Sequence, residues 1–301
     1  MKTRLGIFIF SLVLLPLGGL LLSGKEWEEL SARVPAEADN IAAILLTTLM
    51  VFAYILLTNF MIKRITGNSP INIQRNYYLW MAAASAILCW LLAYLNLFTA
   101  SWPSSQGKPA MKIVLYTPIF ALLAPAVLIT RALLGSFSGP LKLLARGLVL
   151  PVRGGESTSI FLVSIAVLGL LGGAAWPAQL DWLMWLSPLL LLAALQLLWH
   201  ESTIFSGLKS GDWGRVICAV LAGMIVGNLV SISYHAGGGN LTSTPHNMLA
   251  QFGYMLFGLL CLQLSDVIAE NWRGKKRAGL FQQKKKFPIP VIVRPVSTKR
   301  D

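Results

Sequence analysis

Eight apolar runs, each near the length at which an α-helix crosses a bilayer, constrain what this chain can become. A span needs roughly 20 mainly apolar residues to cover a hydrocarbon core of about 30 Å. The runs are Leu5–Leu22, Ile41–Met61, Tyr77–Phe98, Ile113–Leu134, Ile160–Trp176, Leu183–Trp199, Val216–Ser233 and Met248–Ala269. A backbone in hydrocarbon must satisfy its own hydrogen bonds, so each run is expected to be helical. The fold class that follows is all-α. It is a polytopic integral membrane bundle of eight transmembrane helices over residues 1–269, followed by a basic tail over 270–301. The fifth and sixth spans are the shortest, and with only Pro177–Trp182 between them they read as a tight hairpin. No repeat relates one half of the chain to the other.

Composition removes the competing classes. Hydrophobic residues make up 55% of the chain and charged residues 12%, about half the charged share of an average soluble domain. A water-soluble globule could not hide this much apolar surface behind so few charges. A disordered chain would carry far less of it. Three cysteines in 301 residues also exclude a disulfide-stapled scaffold.

The net charge of +13 then sets orientation, because basic residues stay on the cytoplasmic side of short loops. With the N-terminus inside, the cytoplasmic connections receive Lys2 and Arg4, then Lys63, Arg64 and Arg75. The connection after the fourth span adds Arg131, Lys142, Arg146 and Arg153, and the one after the sixth adds Lys209 and Arg215. The tail supplies ten more, against Lys25, Arg33, Lys108 and Lys112 outside. Both termini are therefore expected in the cytoplasm, in a membrane of the bacterial inner type. The first span could instead be a signal peptide, since Met1-Lys-Thr-Arg precedes an apolar run. That run is long for a signal core, and Leu22-Ser-Gly is a poor cleavage site, so retention is expected.

The outer connections are too short to hold a catalytic domain. On the inner side, Lys142 and Arg146 share a helical face within Gly135–Ser159. That suits a helix lying among headgroups, although a plain positive-inside connector explains it as well. The tail carries Arg273, Lys275, Lys276, Arg277, Lys284, Lys285 and Lys286, a cluster drawn to anionic lipid or to a partner. No aromatic platform or recognised fold accompanies it, so nucleic acid is not the expected partner.

Within the spans, Ala219, Gly223, Gly227 and Ser231 recur every four residues and fall on one helical face. Gly169 and Gly173 form a second small-residue surface. Such faces let helices approach closely, and packing within one chain is their commoner use. Neutral polar residues sit deeper: Asn59, Asn96, Gln196, Asn228, Gln251 and Gln263. Of these, Asn228, Gln251 and Gln263 could line a substrate path, while interhelical hydrogen bonding is the more frequent role. Pro118, Pro125 and Pro188 can kink or break their helices. Arg131 and Asp266 lie near the cytoplasmic helix ends, where they can reach the interface or pair with each other. Scarce ionisable groups at depth argue against ion-coupled transport.

His235 and His246 flank an outer loop and could bind a metal or haem iron. Without a nearby Cys or carboxylate they make an incomplete zinc sphere, so no cofactor is expected and a ligand role is the lesser reading. His200 and Glu201 begin an inner loop, but adjacency in sequence does not aim two side chains at one substrate. Gly211-Asp-Trp-Gly214 reads as a turn with an interfacial tryptophan. With no zinc-protease, nucleophile-elbow or phosphate-loop motif, the expected function is that of a non-catalytic subunit, scaffold or assembly factor among other membrane subunits. A permease for a small neutral or lipid-like substrate is the alternative, and a redox or metal protein the third.

Overall fold

The computed structural model describes residues 2–24, 36–37, 40–102, 104–105, 109–137, 139, 141, 144–145, 147–150, 155–201, 203–239 and 247–273. Among them, eight helices are long and apolar enough to cross a membrane. They are α1 (Lys2–Ser23), α2 (Ile41–Thr66), α3 (Arg75–Thr99), α4 (Pro109–Gly135), α5 (Glu156–Ala175), α6 (Pro177–Leu198), α7 (Gly214–Ala236) and α8 (Asn247–Arg273). A one-turn helix, Pro70–Ile73, joins α2 to α3, and a 3-10 helix, Ile204–Ser210, precedes α7. The two-residue segments β1 (Ala36–Glu37) and β2 (Ser104–Ser105) pair in parallel, joining the α1–α2 and α3–α4 connections. The eight expected spans are all present.

The connection between α5 and α6 is shorter than expected. Pro177 occupies the first turn of α6, where its missing N–H goes unneeded. Only Trp176 stands between the two helices: its N–H donates to Gly172 O at 2.7 Å and its carbonyl accepts from Leu180 N at 3.2 Å. Residues Pro177–Trp182 are thus helical instead of a loop.

Local chemistry sets the other ends. Asn40 Oδ1 accepts from Ala43 N at 3.0 Å and caps α2. At the far end Lys63 and Arg64 occupy the last turn, and Gly67 closes the helix with φ of 75°, a left-handed conformation that favours glycine. Hydroxyls inside the spans bond back to their own helices, as Thr47 does to Ala43 O and Thr130 to Ala126 O, both at 2.7 Å.

Helix α4 is central: it packs against α2, α3, α7 and α8. Helices α1, α5 and α6 form a second group, which meets the first where α8 and α3 touch α6. Ile129, Met81, Leu95, Met184, Leu192 and Leu262 are enclosed between them. The outward rows, such as Leu45, Leu49, Phe52, Leu56 and Phe60 on α2, are exposed apolar surface of the kind lipid covers.

The small-residue faces are spent inside this bundle. A Cβ placed on Gly223 would sit 2.8 Å from Gly258 Cα and collide with Tyr254 O, so α7 and α8 touch backbone to backbone. A Cβ on Gly258 would in turn meet Ala219 O. Gly227 lies against the ring of Tyr254. On α5, Gly173 accommodates Met184, and Gly169 accommodates Leu183 and Ser187, all three lying on α6. Ser231, last in the α7 stripe, is half-buried.

Proline leaves its mark on α4. Ser85 of α3 reaches into that helix, donating to Phe120 O while accepting from Ala124 N at 3.0 Å. Its hydroxyl thus touches a carbonyl and an amide four residues apart on α4, between Pro118 and Pro125. Helix α4 runs on through both prolines.

Candidate functional site

Three polar groupings interrupt the apolar bundle. The first joins α7 to α8. Asn228 Nδ2 donates to Gln251 Oε1 at 2.9 Å, and Gln251 Nε2 donates to Asn228 Oδ1 at 2.6 Å. The second proton of Asn228 Nδ2 reaches Met224 O at 2.8 Å. A related bond joins α8 to α6, where Gln263 Nε2 donates to Gln196 Oε1 at 2.8 Å and both residues are fully buried. Gln196 Nε2 and Gln263 Oε1 are buried beside it without hydrogen-bond partners. Asn59 accepts from Ser69 Oγ at 3.0 Å, and Asn96 exchanges two bonds with the backbone of Trp102. Each of the six neutral polar residues singled out in the sequence is therefore bonded within the chain.

The second grouping lies at the end of the bundle where α4 finishes and α7 begins. Arg215 Nη2 donates to both oxygens of Asp266, each at 2.9 Å, linking the first turn of α7 to the last turns of α8. Asp266 thus takes Arg215 as its partner, and Arg131 lies close enough to feel both charges. Hydropathy alone hid this, because Arg215 stands just outside an apolar run while Asp266 stands inside one.

The third grouping is a cleft of about 670 Å³ at the same end. Glu156 and Ser159 on the first turn of α5 form one wall, and Leu197 and Leu198 form the apolar wall. His200, Glu201, Thr203, Ser206 and Lys209 complete the lining. His200 adopts a left-handed backbone with φ of 55°, which turns the chain sharply after α6. The turn brings His200 and Glu201 to one cleft despite their adjacency in sequence, with the Glu201 side chain buried and the imidazole exposed.

The connections that follow α4 and α6 are bonded together beside these groups. Gly147 N donates to Gly211 O at 3.0 Å, Leu150 N to Leu208 O at 3.1 Å and Trp213 N to Leu144 O at 3.0 Å. The Trp213 indole donates to Leu148 O at 2.8 Å, and its ring fills the space where Gly147 lacks a side chain. Trp213 is thus a clasp between loops, a role the turn motif did not announce. Lys142 and Arg146 lie outside the described residues.

His235 is exposed at the end of α7, and His246 lies outside the described residues. Among the described residues no group of three or more His, Cys, Asp or Glu side chains is placed to hold a metal. Cys89, Cys218 and Cys261 are buried and free. Arg273 ends α8, and Lys275, Lys276, Arg277, Lys284, Lys285 and Lys286 lie outside the described residues. In comparisons with known proteins, no family model, curated protein or solved structure matches this chain.

Proposed function

We propose that this multi-pass membrane protein is a non-catalytic component of a membrane assembly, acting as a subunit, scaffold or assembly factor. The observation that carries the proposal is the Asn228–Gln251 pair. Two amides that bond each other in both directions have little capacity left for a passing solute, and they hold α7 against α8. The GxxxG face of α7 is likewise occupied by α8, so further subunits would dock on the outward apolar rows or the inner loops. The basic face is oriented to the cytoplasm of a bacterial-type inner membrane, with the tail from Arg273 to Lys286 meeting anionic headgroups or a partner. Extraction in mild detergent tests this. Co-purification of a defined membrane partner is expected, whereas recovery as a lone monomer under several conditions counts against it.

A second reading, a permease for a small neutral or lipid-like substrate, draws its support from the open cleft between α5 and the loop after α6. Solute uptake into proteoliposomes that disappears in Ser206→Leu or Lys209→Leu, two residues of the cleft lining, would favour it over the first.

A further inference from the structure

Arg215 spends one nitrogen on Asp266, and its other terminal nitrogen, Nη1, is buried without a hydrogen-bond partner. Arg131, half-buried on the last turns of α4, makes no hydrogen bond or ion pair among the described residues and lies in the field of both Arg215 and Asp266. Two guanidinium groups thus share one carboxylate. The nearest further acid on the connection, Asp212, is engaged in accepting from Gly214 N at 3.0 Å at the start of α7. That helix start adds the partial positive charge of its unpaired amides to the same place.

A partly buried cation left without a counter-ion is costly, and more so at a membrane boundary than in water. Side-chain exposures of 20% for Arg215 and 12% for Asp266 leave the cluster reachable from the headgroup layer. A guanidinium presents a planar fork of donors that matches phosphate oxygens, and basic pockets between membrane helices accept phosphorylated headgroups by this chemistry.

We propose that Arg131 and Arg215, at the adjoining ends of α4 and α7, form a binding site for a phosphate-bearing anion. Arg131 supplies the free fork, Arg215 adds its positive charge beside it, and Asp266 holds the Arg215 guanidinium in place. The site is distinct from the tail cluster, because its charges are set in the bundle by helix packing.

The experiment uses the purified full chain in neutral detergent, with the unfolding midpoint followed as ligand is added. Phosphatidylglycerol, phosphatidylcholine and inorganic phosphate are titrated separately. Phosphatidylglycerol is expected to raise the midpoint saturably while phosphatidylcholine does not. Arg131→Gln should weaken that response about tenfold, the worth of one charge-assisted hydrogen bond. Arg131→Lys keeps the charge and loses the fork, so its response should fall between the two, and it serves if the glutamine variant fails to fold. Replacing Lys284, Lys285 and Lys286 with Gln should leave the saturable response in place. A matching response to inorganic phosphate would identify the phosphate group itself as the ligand, and its absence would identify the intact headgroup. A phosphatidylglycerol response that is missing, or unchanged in both Arg131 variants, overturns the proposal.

Discussion

Asn228 and Gln251 stand on neighbouring helices and satisfy each other's amides in both directions, at 2.9 and 2.6 Å. Replacing either one strands the other in an apolar interface. Asn228→Leu and Gln251→Leu are each expected to destabilise the bundle by about 1–2 kcal/mol. The double variant should cost less than the sum of the two, because it leaves no orphan. Reversible unfolding in mixed micelles measures all three. Additive losses would mean that the pair is not coupled.

Gly258 and Gly253 lie on the same helix and should respond in opposite ways. A Cβ on Gly258 would collide with Ala219 O and come within 2.9 Å of Gly223 Cα, so Gly258→Ala must push α7 and α8 apart at a cost of about 1–3 kcal/mol. A Cβ on Gly253 meets nothing within 4 Å, so Gly253→Ala should stay within about 0.5 kcal/mol of the parent or gain slightly from helix propensity. Unfolding midpoints compared side by side decide this.

Ser85→Ala removes the hydroxyl that bridges Phe120 O and Ala124 N. The expected cost is about 1–3 kcal/mol, and the Ala124 amide should exchange with solvent faster than its neighbours. Exchange that is unchanged would show that α4 closes its own ladder at this point.

Asp266→Asn tests the ion pair from its acidic side. The variant keeps a hydrogen-bond acceptor for Arg215 but removes the carboxylate shared by two guanidiniums. We expect a loss of about 1–3 kcal/mol, discounted from the fully buried case because both side chains are partly exposed. Arg131→Gln in the same background should recover part of it by lowering the surplus positive charge. Unfolding of the single and double variants provides the measurement.

Orientation can be read by labelling. Cys89, Cys218 and Cys261 are buried, so the parent should react weakly with a membrane-impermeant maleimide. Ser210→Cys, exposed after the 3-10 helix, should label only after cells are opened. Ala236→Cys, exposed at the opposite end of α7, should label in intact cells. The reverse pattern would invert the topology.

Much of the architecture could be read along the chain because its cause is local. Whether a segment can cross a bilayer depends on about 20 consecutive side chains and on a backbone that must bond to itself, and both are properties of the segment. The eight spans follow from that. Helix ends were read less well: Pro177 looked like part of the connection between two spans and is the first turn of α6, since a proline lacking an N–H suits either place.

The pairings between spans depended on the folded bundle. Ser85 meets Phe120 across 35 positions, Asn228 meets Gln251 across 23, and Arg215 meets Asp266 across 51. Composition marked Asn228, Gln251 and Gln263 as polar residues in apolar helices, which left them as either a route or a set of fasteners. The residue order suggested Arg131 as the partner of Asp266, and the bundle instead pairs Asp266 with Arg215. The choice follows from how closely helices can approach. Gly223 and Gly258 let α7 and α8 meet at their backbones, and that contact carries Arg215 at the head of α7 to Asp266 near the foot of α8. Hydrophobic length is a one-dimensional property and a polar partner is a three-dimensional one, so the spans could be read from residue order while the contacts awaited the packing.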